Sequence, residues 1–452
     1  MSSGKRPSVL EMSLWALTWP MFVELVLTMT LGLEDSFYLA RISDRAAAAV
    51  GALLPVFGLC NMAFQTFAHS GASVASQLIG GERRERVNPT FLTMILLNAL
   101  LGIAFAAVLY VIHPRVGHWM GLSASVYPHA TEFLGLVGPM LFIQALRFAY
   151  ASIVNACGRT RWNMLSAVFV NLANVSLNHL LTRGTFGLPR LGVAGIAWST
   201  IVAQTTGLVV LALVVHLRLG VRLDFRGYWS HLRLYLEPIL SIAVPSVVEP
   251  LSFQLNQLVL VGIVVAIGDV ALATRTYTLN LIVFSIVWAY SIGLGTQIKI
   301  AHQVGARRFE DADRQLRYGL RTGGALAVVM MLVLSVFARP VYRLFSPDPE
   351  IARLGQMLML MGLALEPARA SNMIVGGSLR GSGDARFASS MSVLLTWGIA
   401  IPVAYLLALR LHLGLVGIWL AMICDEGCRG VMNFWRWSTG AWKTKGVLAR
   451  AA

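Results

Sequence analysis

The sequence predicts an all-α integral membrane protein: twelve transmembrane helices arranged as two pseudo-symmetric six-helix lobes. Three observations carry that expectation. The chain of 452 residues is 57% hydrophobic and only 13% charged, whereas soluble domains carry roughly 25% charged residues. Apolar runs long enough to cross a ~30 Å hydrocarbon layer as helices alternate with loops rich in Gly, Pro and Arg. The chain is also doubled at an offset of 225 positions. Pro20 and Glu24 recur as Pro245 and Glu249, and Asp44 before RAAAAV recurs as Asp269 before VALATR. Gly80 after ASQLI recurs as Gly305 after AHQV, and GRTRW at 158 as GDARF at 383. GVAGIAW at 192 answers GLVGIWL at 414, with a slightly shorter offset. Six spans per half in matching orientation mean parallel repeats about an axis normal to the membrane.

The spans are expected at residues 13–40, 46–79, 91–112, 126–157, 163–182, 192–217, 238–267, 271–304, 318–338, 352–379, 387–410 and 413–434. Residues 1–220 form the N-terminal lobe and 221–452 the C-terminal lobe, with the basic stretch 217–236 as the linker between them. The opening MSSGKRPSVLEMSLWALTW lacks a small-residue cleavage site, so it leads into a first span and is not a removed signal. With both termini placed in the cytoplasm, the cytoplasmic loops hold 23 Lys and Arg and the outer loops 10. That bias follows the positive-inside rule. The closing FWRWSTGAWKTK mixes tryptophan and basic residues, as an interfacial anchor does.

Several function classes are set aside by what the chain lacks. The net charge of +15 is spread over many short loops, without a basic patch or reading motif for nucleic acid. A GxxxxGK[ST] loop is missing, so the chain carries no ATP motor of its own. HExxH, GxSxG and TVGYG are missing too, which argues against a hydrolase or a potassium-type filter. Cys60, Cys157, Cys424 and Cys428 form no CxxC pair and read as buried free thiols. The chain is expected to be no enzyme and to need no cofactor or metal. What remains is a two-lobed carrier driven by an ion gradient.

The first span carries the chemistry that organises this reading. It contains Glu24, Glu34 and Asp35, with Pro20 near its start. A carboxylate at bilayer depth costs roughly 2.5–3.5 kcal/mol on insertion scales and usually faces a cavity or a partner. Glu24, Thr28, Leu31 and Asp35 share one helical face, and Glu34 points about 100° away. The plainer alternative is that Asp35 sits at the interface beside Arg41. In the fifth span, Asn171, Asn174 and Asn178 make a polar stripe. Such amides either glue the bundle or hold Asp35 in a polar network. The seventh span offers Glu249, Phe253, Asn256 and Gln257 on one face. Glu366 in the tenth span and Asp425 and Glu426 in the twelfth are further buried acids without an assigned role. Pro20 removes a backbone hydrogen bond and weakens the first helix as a hinge; the competing view is that it only begins the helix.

These residues resemble a multidrug and toxic compound extrusion (MATE) transporter over essentially the whole chain. The resemblance rests on the first-span P-x3-E with Asp35, ASQLIGG, GRTRWNM, LRGSGDAR and GVAGIAWST, taken in order. It implies two six-helix lobes around a central cleft that export organic cations and other amphiphiles in exchange for H⁺ or Na⁺. Within the family the chain is similar to the DinF-like branch, which implies a cation-coupling site at Asp35, Asn174 and Asn178, with Thr200 as a further oxygen. Glu24, Asn171, Glu249, Asn256 and Gln257 are expected in the substrate cavity. Some sodium-binding relatives carry a second aspartate where this chain has Asn178. The NorM-like branch has a seventh-helix glutamate where this chain has Phe253. One aspartate with two amides is a poor cage for sodium, which wants several oxygens and more charge, but a good proton acceptor. The resulting expectation is a monomeric, proton-coupled drug antiporter of the inner membrane. It works by alternating access among lipids and small-molecule drugs. The alternatives are Na⁺ coupling, a lipid-linked precursor flippase using Arg147 and Arg369, or a non-transporting scaffold.

Overall fold

The structure, a computed structural model, describes residues 8–184 and 190–450. Among these residues the chain is helical throughout and has no strand, as lipid requires of a backbone that must satisfy its own hydrogen bonds. In the first half run α1 (Leu14–Ile42), α2 (Asp44–Gly80), α3 (Arg84–Trp119), α4 (Tyr127–Ala156), α5 (Arg161–Arg183) and α6 (Gly192–Leu213). The second half holds α7 (Leu232–Ile267), α8 (Asp269–Gly305), α9 (Phe309–Val336), the short α10 (Ala338–Phe345) and α11 (Pro349–Ser382). It closes with α12 (Ala385–Leu395), α13 (Ile401–Tyr405), α14 (Gly414–Ser438) and the terminal α15 (Val447–Arg450).

Local chemistry sets these ends. Ser13 accepts the Ala16 amide at 3.2 Å and starts α1. Asp348 accepts the Glu350 amide at 2.8 Å, just ahead of Pro349 at the first turn of α11. Gly184 closes α5 in the left-handed conformation, φ 69°. Between α12 and α13 lies a π turn, Thr396–Ala400. Pro402 follows it and offers no amide to the preceding turn, so the wider turn relieves the mismatch. With a second π turn at Leu406–Arg410, these pieces form one span, Ala385–Arg410. Among the described residues, ten helices are long and apolar enough to cross a membrane by length and composition. The other two spans are α11 and α14, which carry buried charged residues.

The twelve spans overlap the runs that hydrophobicity predicts, but several helices extend past them: α3 ends at Trp119 and α7 begins at Leu232, outside the expected limits of 112 and 238. The helices α3 and α9 start seven to nine residues earlier than their apolar runs, at Arg84 and Phe309. Their first turns are charged, with Glu85 in one and Glu310 and Asp311 in the other, which suits a helix N-terminus. α10 and α15 are too short to give a periodic signal. The basic pair Lys5 and Arg6, counted with the cytoplasmic loops, lies outside the described residues.

The chain divides into two compact units. The first comprises Trp19–Ala75 and Arg83–Ile239; the second comprises Met1–Thr18, Ser76–Glu82 and Leu240–Ala452. The division falls at Ile239 and Leu240, later than the expected 220/221 boundary. Tyr228 accounts for that shift. It is buried, shares a hydrogen bond with the Thr93 hydroxyl at 2.9 Å and stacks on Tyr235, so the linker packs as part of the first unit. In the first unit α4 packs against α3 and α6, over a core that includes Leu53, Phe64, Leu134, Leu141 and Ile196. In the second, α11 packs against α8, α9 and α14. There Val264, Leu358, Leu365 and Trp419 form one core, and Leu316, Leu379, Trp437 and Trp442 another. A close backbone approach within the second unit explains two repeated glycines. A Cβ on Gly80 would stand 2.0 Å from the His302 carbonyl oxygen, and one on Gly305 would stand 1.9 Å from that of Gln77. Only glycine fits either position.

Candidate functional site

Asp35, Asn174, Asn178 and Thr200 come together from α1, α5 and α6. The 3.6-residue period stacks Asn174 and Asn178 on the face of α5 turned inward, where both are fully buried. The Asn178 side-chain amide donates to Asp35 Oδ1 at 2.8 Å and to Asn174 Oδ1 at 2.9 Å. Against an ionised Asp35, which can only accept, the nitrogen is the Asn178 atom that fits that position. Thr200 Oγ1 donates to Asp35 Oδ2 at 3.2 Å and also lies 3.0 Å from the Ile196 carbonyl oxygen. Asn174 faces the same carboxylate, and neither its amide nitrogen nor Asn178 Oδ1 makes a hydrogen bond of ordinary geometry. Arg41 is turned away: its guanidinium lies over the Phe37 ring, 4.3 Å from the centroid. The interfacial Asp35–Arg41 pairing is therefore not formed. Asp35 interacts electrostatically with Glu34, its neighbour in sequence.

Asn171 does not join this cluster. Its oxygen accepts from the Thr30 hydroxyl at 3.1 Å and its nitrogen donates to the Ala167 carbonyl, which ties α5 to α1 one turn away from Asp35. Glu24 interacts with Arg147 of α4, a buried guanidinium whose Nε has no hydrogen-bond partner. Pro20 lies inside α1, which begins six residues earlier at Leu14. The view that Pro20 merely starts the helix is therefore overturned.

In the second unit the seventh-span residues part company. Glu249 accepts from Arg380 Nη1 at 2.8 Å and from the Ser392 hydroxyl at 3.1 Å. Gln257 accepts from Arg275 at 3.2 Å. Asn256 is buried with its amide nitrogen unpartnered, and Phe253 is exposed. No one group collects them, so the shared face predicted for α7 is not a single polar site. The unassigned acids instead form a buried network. Arg369 bonds Glu366 and lies 3.3 Å from Glu426; Arg429 bonds Asp425 and lies 3.4 Å from the same Glu426 oxygen. Arg429, counted among the cytoplasmic basic residues, is thus a buried member of α14. The spacing of Glu366 to Arg369 and of Asp425 to Arg429, three and four residues, was the available signal for acid–base pairs on single helix faces.

A model of the MatE family matches the chain twice, over residues 20–180 and 245–406. The uncharacterised transporter YisQ of Bacillus subtilis is 33% identical over 443 residues, which is 98% of this chain and 97% of that protein. A probable multidrug resistance protein NorM of Thermotoga maritima is 24% identical, over 96% of this chain and 93% of its own length. Among solved structures, an outward-facing multidrug resistance MATE family transporter of the MOP superfamily matches with a TM-score of 0.88 at 19% identity. That match covers 97% of this chain and 98% of the other, and it speaks for the fold. On the doubled family match and the full-length relatives, the chain belongs to the MatE family of multidrug and toxic compound extrusion transporters.

Proposed function

We propose that the protein is a proton-coupled antiporter that exports organic cations and other amphiphilic drugs by alternating access. In this reading it works as a monomer in the inner membrane, with both termini cytoplasmic. The observation that carries the coupling assignment is the asymmetric dressing of Asp35. Oδ1 receives the Asn178 N–H, a group that can only donate. Oδ2 receives the Thr200 hydroxyl, which has a second acceptor in the Ile196 carbonyl. On protonation at Oδ2, Thr200 turns its hydrogen to Ile196 and accepts from Asp35, while Asn178 keeps donating to Oδ1. Both charge states are therefore hydrogen-bonded. The ionised site attracts a cationic drug, and protonation withdraws that attraction.

A sodium ion would need oxygens where Asn178 presents its nitrogen. The flippase alternative needs arginines open to a pyrophosphate. Arg369 is bound by Glu366 and Glu426, and Arg147 faces Glu24, which disfavours it. The test is Asp35→Asn assayed for pH-driven export of a fluorescent organic cation from membrane vesicles. The expected result is normal insertion with export reduced at least about tenfold. Export at the wild-type rate refutes the assignment.

A further inference from the structure

Five charged side chains meet between α11 and α14, none of them part of the Asp35 cluster. Glu366 and Arg369 come from α11; Asp425, Glu426 and Arg429 come from α14. All five are at most 6% exposed. Three carboxylates face two guanidiniums, and guanidinium does not give up its proton in a protein. One negative charge is therefore left over in a buried place. The surroundings do not balance it. On α7, Glu249 acts on Arg429 but is itself matched by Arg380. On α8, the group acting on the network is the hydroxyl of Ser285, which carries no charge. Asn372 and Asn433, also neutral, complete the hydrogen bonding: Asn372 donates to Glu426 Oε2 at 2.8 Å and Asn433 to Asn372 at 3.1 Å.

A buried group in this position neutralises by taking up a proton. The hydrogen bonds indicate which one. Glu426 has both oxygens engaged, by Arg369 and Arg429 on one and Asn372 on the other. Glu366 and Asp425 each have one arginine and one oxygen without a hydrogen-bond partner. Glu366 is the deeper, at 1% exposure, and the Ser285 hydroxyl neighbours its carboxyl group and pairs with no other residue. A proton on Glu366 Oε2 can donate to Ser285 Oγ and serve both bare atoms at once. We propose that this network is a second proton-binding site, with Glu366 as the group that takes up the proton.

The inference does not depend on whether Asp35 couples transport, and its test reads no transport. Infrared spectroscopy of the purified full-length protein, in H₂O and D₂O at pH 7, detects the carbonyl stretch of protonated carboxyl groups. In an Asp35→Asn background, Glu366→Gln should remove the intensity of one such group. Asp425→Asn, with Glu366 intact, should remove it too, because two acids then balance two arginines. Arg369→Gln should instead add one group, since three acids then face one arginine. Three variants shifting the signal in two directions keep the test decisive should one of them fail to fold. Intensity unchanged by Glu366→Gln, or surviving Asp425→Asn, overturns the proposal.

Discussion

At the scale of single residues, the proposed preference of Asp35 for a proton rests on Asn178. Its nitrogen is held between Asp35 Oδ1 and Asn174 Oδ1, so the group facing the carboxylate is a donor and not a ligand. Asn178→Asp replaces that donor with oxygen and adds the missing charge. It is expected to create sodium binding, measured with radiosodium on purified wild type and variant side by side; equal binding in the two would place the site elsewhere. Loss of one hydrogen bond to a charged group costs about 1.5–3 kcal/mol, a smaller loss than removal of the acid. Asn174→Ala and Asn178→Ala should therefore slow export less than Asp35→Asn does. Thr200 tests the reversible side of the site. Thr200→Ser keeps the hydroxyl and should stay within about twofold of wild type. Thr200→Val removes the proton's acceptor and should lower export by about tenfold, in line with one lost bond. A valine variant as active as the serine variant contradicts the proton path through Oδ2.

At the scale of the helix, Pro20 gives α1 a weak point that the rest of the helix lacks. It cannot donate to the Ala16 carbonyl, and its ring crowds that turn; an interior proline costs about 3 kcal/mol. Asp35 lies fifteen residues further on, about 22 Å along the axis. The hinge proposal is that α1 holds two shapes, one with Asp35 ionised and one with it neutral, within a few kcal/mol of each other. Spin labels on α1 should then report different distances at pH 5 and pH 8. Pro20→Ala should collapse them to one distribution and slow export severalfold. One distance at both pH values, in a transport-competent wild type, contradicts the hinge. How far α1 could be read from sequence follows from the same residues. Its apolar length and its acids were legible, because cost at membrane depth makes every carboxylate conspicuous. Its partners were legible only in part. Asn174 and Asn178 stood out as a stripe, but Asn171, on the same stripe, bonds Thr30, and periodicity alone does not distinguish them. The network of α11 and α14 was hidden by sequence distance. Glu366 and Glu426 look like scattered acids until tertiary packing lets one arginine, Arg369, bridge them.

At the scale of the molecule, the two halves share a scaffold and differ in chemistry. Glu24 and Glu249 each follow their proline by four residues, and each faces an arginine on a helix of its own unit, Arg147 on α4 and Arg380 on α11. Gly80 and Gly305 are likewise paired, each against the carbonyl of the other's helix. Because a methyl there meets rigid backbone, Gly80→Ala and Gly305→Ala should each lower thermal stability by an amount on the order of 1–3 kcal/mol. Calorimetry or thermal aggregation of the purified variants measures it, and an unchanged Tm in both would contradict the close approach. The repeat does not extend to the proposed coupling residues. At the same offset, Asp35 is answered by Leu260, Asn174 by Ile399 and Asn178 by Val403. In the proposed function the coupling proton therefore belongs to one half. The most direct test of that account uses purified protein in liposomes with the two gradients imposed separately. An imposed pH gradient without sodium should drive drug movement opposite to the proton flux, and Asp35→Asn should abolish it. A sodium gradient at clamped pH should drive none. Transport driven by sodium alone, or by the pH gradient in the Asp35→Asn protein, contradicts the account.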